Sequence, residues 1–126
     1  MKGQWRRNMK LIDANVMLRF LLNDNKEQAE IALLTIKEGA CTRAEVMAEV
    51  VYVLKNVYGM SRDKIYDCLS TIIKVVKIED KDAFQEALEV YKDTTLDFVD
   101  CILIGRNHIL GEDIFSFDKK LNNKLK

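Results

Sequence analysis

The sequence contains no proline, only one histidine, and no excess of either charge. The absence of proline agrees with short connections between regular elements. Lysine plus arginine and aspartate plus glutamate both total 20 residues. The resulting net charge of zero gives the chain no overall attraction to nucleic acid, so any polyanion must be bound by a local patch or through a metal ion.

The three cysteines, Cys41, Cys68 and Cys101, are far apart and form no CxxC pair. This spacing disfavours a zinc site and a disulfide framework. The polar, basic start of the chain is not followed by an apolar run of signal-peptide or membrane-span length. These absences exclude the usual marks of an exported or membrane protein, and we expect the chain to work in a reducing cytoplasm.

The chain has 126 residues, of which 48% are hydrophobic and 32% are charged. This length and balance predict one compact domain with a real core. The first periodic element begins near Met9 and Lys10. We therefore expect residues 1–8 to be an appendage to a single domain that spans residues 9–126.

The spacing of apolar residues predicts an α/β fold. Short buried strands are expected at 11–12, 40–42, 75–78 and 114–117. Helical spacing predicts helices around 16–22, 29–36, 46–57, 65–72, 84–91 and 97–110, with a lysine-rich helix at the end. Ser61 is expected to cap the helix at 65–72. Strands separated by helices imply a parallel sheet that is covered by helices on both faces.

Carboxylates interrupt this apolar sequence at specific places. Asp13 and Asp118 each follow a predicted strand, and the carboxyl ends of parallel strands are where such sheets bind ligands. Glu49 lies beside the apolar stripe of its helix. Asp97 and Asp100 share one face at the positive end of an apolar helix, a position that favours anions. Acids from distant parts of the sequence are therefore expected to converge.

Each acid also has a purely structural interpretation. Asp13, Asp97 and Asp118 all precede predicted helices and can act as N-caps. Glu49 can be a solvated residue at the edge of its helix. The joint pattern favours a site more strongly than any single member does.

Four segments in order resemble the PIN-domain family, and in particular its VapC-type toxins. They are Ile-Asp-Ala-Asn-Val at 12–16, Ala-Glu-Val-Val-Tyr-Val-Leu at 48–54, Asp-Phe-Val-Asp-Cys-Ile-Leu at 97–103 and Phe-Ser-Phe-Asp-Lys-Lys-Leu at 115–121. The resemblance covers nearly the whole chain from Met9 onward.

The resemblance implies roles for individual residues. The catalytic and metal-binding quartet would be Asp13, Glu49, Asp100 and Asp118. Supporting positions would be Asn15, Asp97 and Ser116. It also implies a five-stranded parallel sheet, endoribonuclease activity on RNA, Mg²⁺ or Mn²⁺ as cofactor, a homodimer, and inhibition by a small antitoxin protein. Carboxylate oxygens are the donors that these hard cations prefer, which agrees with the assignment.

Other chemistries fit the sequence less well. Cys101 and His108 share a helix, but no third residue that would orient a nucleophile can be identified. No GxxxxGK[ST] or GxGxxG run is present to bind a nucleotide. Two alternatives stay open, a non-catalytic PIN-like module that binds protein or RNA, and a phosphoacceptor receiver-like domain built on Asp13, Ser116 and Lys119.

Overall fold

The structure is a computed structural model that describes residues 9–126, so the predicted appendage at 1–8 lies outside the described residues. The strands in this part of the chain are β1 (Lys10–Leu11), β2 (Ala40–Thr42) and β3 (Lys77–Ile78). The helices are α1 (Ala14–Leu22), α2 (Lys26–Gly39), α3 (Ala44–Asn56), α4 (Arg62–Val75), α5 (Lys81–Asp93), α6 (Phe98–Leu110) and α7 (Lys119–Asn122).

The three strands form a parallel sheet in the order β1-β2-β3. Leu11 lies opposite Cys41, and Thr42 lies opposite Ile78. The amide of Ile12 donates to the carbonyl of Cys41 at 3.0 Å, which extends the pairing of β1 beyond its last residue. The predicted α/β fold with a parallel sheet is confirmed, and the carboxyl ends of all three strands share one edge.

The expectation of five strands is wrong, because the described residues form only three. In particular, residues 114–117 form no strand. The carbonyl of Ser116 accepts from the side-chain amide of Asn122 at 2.9 Å, and the Ser116 hydroxyl accepts from the amide of Asp118 at 2.9 Å. These local bonds take up backbone groups that strand pairing would need. Phe115 and Phe117 are left 85% and 91% exposed.

Local sequence sets the ends of the helices. Ser61 caps α4 as the sequence predicts, since its hydroxyl accepts from the amide of Lys64 at 3.2 Å. Val75, which was expected to begin the third strand, is instead the last residue of α4. Gly111 ends α6 in the left-handed conformation, with φ of 69°, which glycine adopts without strain.

The core joins the helices to the sheet, and α3 packs against α1, α4 and α6. Helices α5 and α6 approach most closely at Gly105, where an added Cβ would lie 2.3 Å from the carbonyl oxygen of Ala83. The ring of Phe98 at the start of α6 packs edge-on against Tyr91, with centroids 5.4 Å apart. None of the helices within residues 9–126 has the length and apolar character that crossing a membrane requires.

Candidate functional site

Two of the predicted site acids, Asp13 and Asp118, cap helices. The amide of Val16 donates to Oδ1 of Asp13 at 3.0 Å, at the start of α1. The amide of Leu121 donates to Oδ1 of Asp118 at 3.0 Å, at the start of α7. The capping interpretation is therefore confirmed for both. Capping leaves both carboxylates able to bind another group, because each has a second oxygen and each side chain is exposed.

The acids at the start of α6 differ from these caps. Asp97 occupies the N-cap position, but its side chain makes no capping hydrogen bond. Asp100 is half-buried in the first turn of the same helix. Its pKa is raised, first by burial and then by the negative charges of Asp97 and Asp118. Two other predicted site acids, from two separate segments, thus act on the charge of Asp100.

The other predicted site residues are on three separate segments. Glu49 is exposed on α3, next to Ala48, which lines a cleft that also includes Asp97 and Asp100. Asn15 is exposed in the first turn of α1. Ser116 holds the backbone of Asp118 through the hydroxyl bond described above, and so helps to fix the start of α7.

The side chains of the predicted site can be compared with the ligands that a divalent cation requires. No three aspartate, glutamate, histidine or cysteine side chains within residues 9–126 are arranged as a metal-binding group. The acids are nevertheless hard oxygen donors, and Asp100, whose pKa is raised mainly by burial, is also acted on by the negative charges of Asp97 and Asp118. A cation bound there would favour the ionised carboxylate. The residues fit Mg²⁺ or Mn²⁺ by charge and donor type, whereas the side chains do not form a closed ligand shell.

The cleft beside these acids was not foreseen from the sequence. It has a volume of about 380 Å³ and lies between the second half of α3 and the first turn of α6. Tyr52, Lys55 and Asn56 line it on one side, and Asp97 and Asp100 line it on the other. Tyr52 and Asn56 follow Glu49 at helical spacing, and this shared face is the signal in the sequence that could have indicated it.

Helix α6 also carries Cys101 and His108, the pair considered above for nucleophilic chemistry. One ring nitrogen of His108 lies 2.6 Å from Glu86, and the other contacts the carbonyl of Lys124. The histidine is therefore structural. Burial raises the pKa of the Cys101 thiol to about 11, which keeps it protonated and unreactive near neutral pH. A cysteine–histidine nucleophile is not supported.

Comparisons with known proteins identify the family of the chain. The family model described as PIN domain matches residues 10–124. The chain is also 29% identical over 120 residues to a VapC ribonuclease of Aquifex aeolicus (strain VF5), an alignment that covers 89% of each chain. No solved structure gives a significant match.

Proposed function

The chain belongs to the PIN-domain family, and from this premise we propose that it is a cytoplasmic, metal-dependent endoribonuclease that hydrolyses phosphodiester bonds of RNA. The observation that carries the proposal is the grouping of acids at the start of α6, where Asp97 and Asp100 line one cleft and the charge of Asp118 also acts on Asp100. Like charges near a half-buried carboxylate are unfavourable for the protein alone. A bound divalent cation would offset this repulsion and could then hold a phosphate group.

We assign the binding of Mg²⁺ or Mn²⁺ to Asp13, Glu49, Asp100 and Asp118. Such an ion, when bound, polarises a phosphate oxygen and lowers the pKa of water. The protein's own contribution is to hold the carboxylates in place. Asp13 and Asp118 are oriented by the helix amides that they cap, because a capping oxygen fixes the side-chain rotamer.

The supporting residues act on these acids. Ser116 fixes the backbone of Asp118 through its hydroxyl. Asp97, which has no capping bond, adds negative charge beside Asp100. Asn15, two residues after Asp13, is an exposed amide on the first turn of α1 that can hold a water molecule or a phosphate oxygen.

We further propose that the enzyme is the toxin of a toxin–antitoxin pair and works as a homodimer. The similarity to a VapC ribonuclease supports this role. A small antitoxin protein would inhibit the enzyme by placing a basic side chain among the acids, which competes with the metal and hides the site from RNA. Co-expression with the product of a neighbouring small gene should suppress both RNA cleavage and any growth defect.

The central experiment is an RNA cleavage assay with the purified chain. Cleavage should require Mg²⁺ or Mn²⁺ and should stop in EDTA. Asp100→Asn should lower the rate at least about a hundredfold, because metal-assisted charge stabilisation is worth several kcal/mol. The folded structure should persist, since asparagine has nearly the same shape as aspartate. Full activity in EDTA, or in Asp100→Asn, would contradict the mechanism.

The matched control is Asp63→Asn. Asp63 is exposed and lies in the first turn of α4, as Asp100 lies in the first turn of α6. The control therefore removes the same charge from the first turn of a helix, but at a residue that does not line the cleft. We expect it to cleave RNA at the wild-type rate.

A second candidate function is a non-catalytic module that binds RNA or protein. It is favoured by one observation, namely that no three metal-binding side chains in residues 9–126 are grouped together. The cleavage assay separates the two. A module that only binds would retain RNA in EDTA and would show no metal-dependent cleavage under any condition.

A further inference from the structure

The cleft between α3 and α6 has the size of a ligand pocket. Its volume of about 380 Å³ lies within the range of about 300 to 1,000 Å³ that is usual for small-molecule sites. Asp97 and Asp100 form part of its wall. A group that occupies the cleft would therefore lie directly beside the acids to which we assign metal binding.

Tyr52 provides a flat apolar surface at this cleft. It is 65% exposed, so its ring is open to a ligand. It lies three residues after Glu49 on the same face of α3, so its ring stands one helical turn from a proposed metal ligand. An exposed aromatic ring beside a phosphate-binding centre is the arrangement that stacks on an unpaired base.

Lys55 adds a positive charge to the same wall. It is exposed in the last turn of α3, and it forms no salt bridge with any residue from 9 to 126. Its ammonium group is therefore available to an anion. The pocket thus has a cationic wall on α3 and an acidic wall on α6, which matches a backbone phosphate at one end and a metal-bound phosphate at the other.

Resting on the ribonuclease function proposed above, we propose that this cleft binds one unstacked base of single-stranded RNA next to the scissile phosphate. Tyr52 stacks on the base, and Lys55 contacts a phosphate of the same strand. The bases of an RNA duplex are stacked inside the helix and cannot enter. An inhibitory peptide is the competing occupant, but the free ammonium of Lys55 beside the exposed ring of Tyr52 favours a nucleotide.

The test measures binding and cleavage separately. Binding of a fluorescent, short single-stranded RNA of mixed sequence is followed by anisotropy in EDTA, where cleavage is stopped. Tyr52→Ala should weaken binding about tenfold, whereas Tyr52→Phe should bind like wild type, because stacking needs the ring and not the hydroxyl. Lys55→Ala should weaken binding about threefold. A duplex of the same sequence should compete poorly.

Cleavage with Mg²⁺ provides the second measurement. Tyr52→Ala should raise KM about tenfold and change kcat less than about twofold, since stacking is present in both the ground state and the transition state. Two matched controls should behave like wild type. They are Tyr58→Ala, an exposed tyrosine outside the cleft, and Lys74→Ala, a lysine in the last turn of α4.

The outcomes separate the two proposals. If wild type cleaves RNA and Tyr52→Ala and Lys55→Ala bind and cleave like it, the cleft proposal is wrong and the ribonuclease proposal stands. If RNA is bound in a Tyr52-dependent manner but never cleaved, the cleft assignment holds and the nuclease mechanism fails. If Tyr52→Ala abolishes inhibition by an antitoxin without changing RNA binding, the occupant is a peptide and the nucleotide assignment is overturned.

Discussion

The polar residues at the two ends of α6 differ in whether they have hydrogen-bonding partners. At the C-terminal end, Arg106 binds Glu112 through two hydrogen bonds, of 2.8 and 2.7 Å, and contacts Asp80 at 3.1 Å. The neighbouring Asn107 and His108 bind the end of the chain. At the N-terminal end, Asp97 makes no capping bond, and burial together with nearby like charge raises the pKa of Asp100.

This difference indicates that the C-terminal end of α6 serves stability and the N-terminal end serves function. Paired groups hold the fold together, whereas unpaired acids in a half-buried position lower its stability unless a ligand compensates them. We therefore expect changes at the C-terminal end to affect unfolding, and changes at the N-terminal end to affect cleavage. The following variants test whether stability and cleavage are divided between the two ends in this way.

The largest effect on stability is expected for Gly105→Ala. The added Cβ would lie 2.3 Å from the carbonyl oxygen of Ala83 and 3.0 Å from the amide nitrogen of Ala87, so α5 and α6 must move apart. We expect a loss of about 3 kcal/mol and a fall in Tm of about 10 °C. Gly111→Ala is the control, because no atom lies within 4 Å of its Cβ position and only its φ of 69° is unfavourable.

RNA cleavage by the same Gly105→Ala variant is the second measurement. Below its melting range, folded Gly105→Ala should cleave RNA at close to the wild-type rate, because Gly105 faces α5 and does not line the cleft that contains Asp97 and Asp100. A Tm within a degree or two of wild type would show that α5 and α6 are not closely packed at Gly105.

A smaller loss is expected for Asn107→Ala. The Asn107 side chain accepts from the amide of Lys126 at 2.8 Å and donates to the carbonyl of Glu112 at 2.9 Å. Removal should reduce the free energy of unfolding by about 1 to 2 kcal/mol, measured in urea. Asn123→Ala, at an exposed position, serves as control. A loss of cleavage without a loss of stability would contradict the division between the two ends.

The smallest effect is expected for Glu112→Gln, and it should depend on pH. Hydrogen bonding and the charge of Arg106 lower the pKa of Glu112. A carboxylate with a lowered pKa stabilises the fold above its unfolded pKa, and this contribution is lost as the pH falls through the folded value. The Tm difference between wild type and Glu112→Gln should therefore be small near pH 7, because the pair is exposed, and absent in strong acid. A larger Tm difference in acid than near pH 7 would contradict the assignment of a lowered pKa to Glu112.

The sequence predicted the elements better than it predicted their contacts. Helical spacing placed Asp97 and Asp100 on one face of α6, and Ser61 was correctly identified as a cap. The strand expected at 114–117 does not form, because its apolar residues have no partner strand and the backbone around Ser116 is bound by local side chains. Periodicity reports which residues are apolar, but not whether a neighbouring strand is available.

The candidate site shows the same limit. From the sequence, Asp13 and Asp118 were consistent with capping as well as with metal binding, and the structure shows that capping does occur. The cleft was missed because Tyr52 and Lys55 on α3 meet Asp100 on α6 only through the packing of two helices. No pattern within either helix specifies that contact.

The most direct test of the division within α6 is thermal melting of wild type and Asp100→Asn, each in EDTA and with Mg²⁺. Because the pKa of Asp100 is raised in the fold, its ionised form destabilises the metal-free protein near neutral pH, and Asp100→Asn should melt at or above wild type in EDTA. Mg²⁺ at about ten times its Kd should stabilise wild type by about 1.4 kcal/mol, or about 3 to 6 °C, and should shift Asp100→Asn far less. If Asp100→Asn melts well below wild type in EDTA, and Mg²⁺ leaves the Tm of wild type unchanged, Asp100 is a structural residue and the account is wrong.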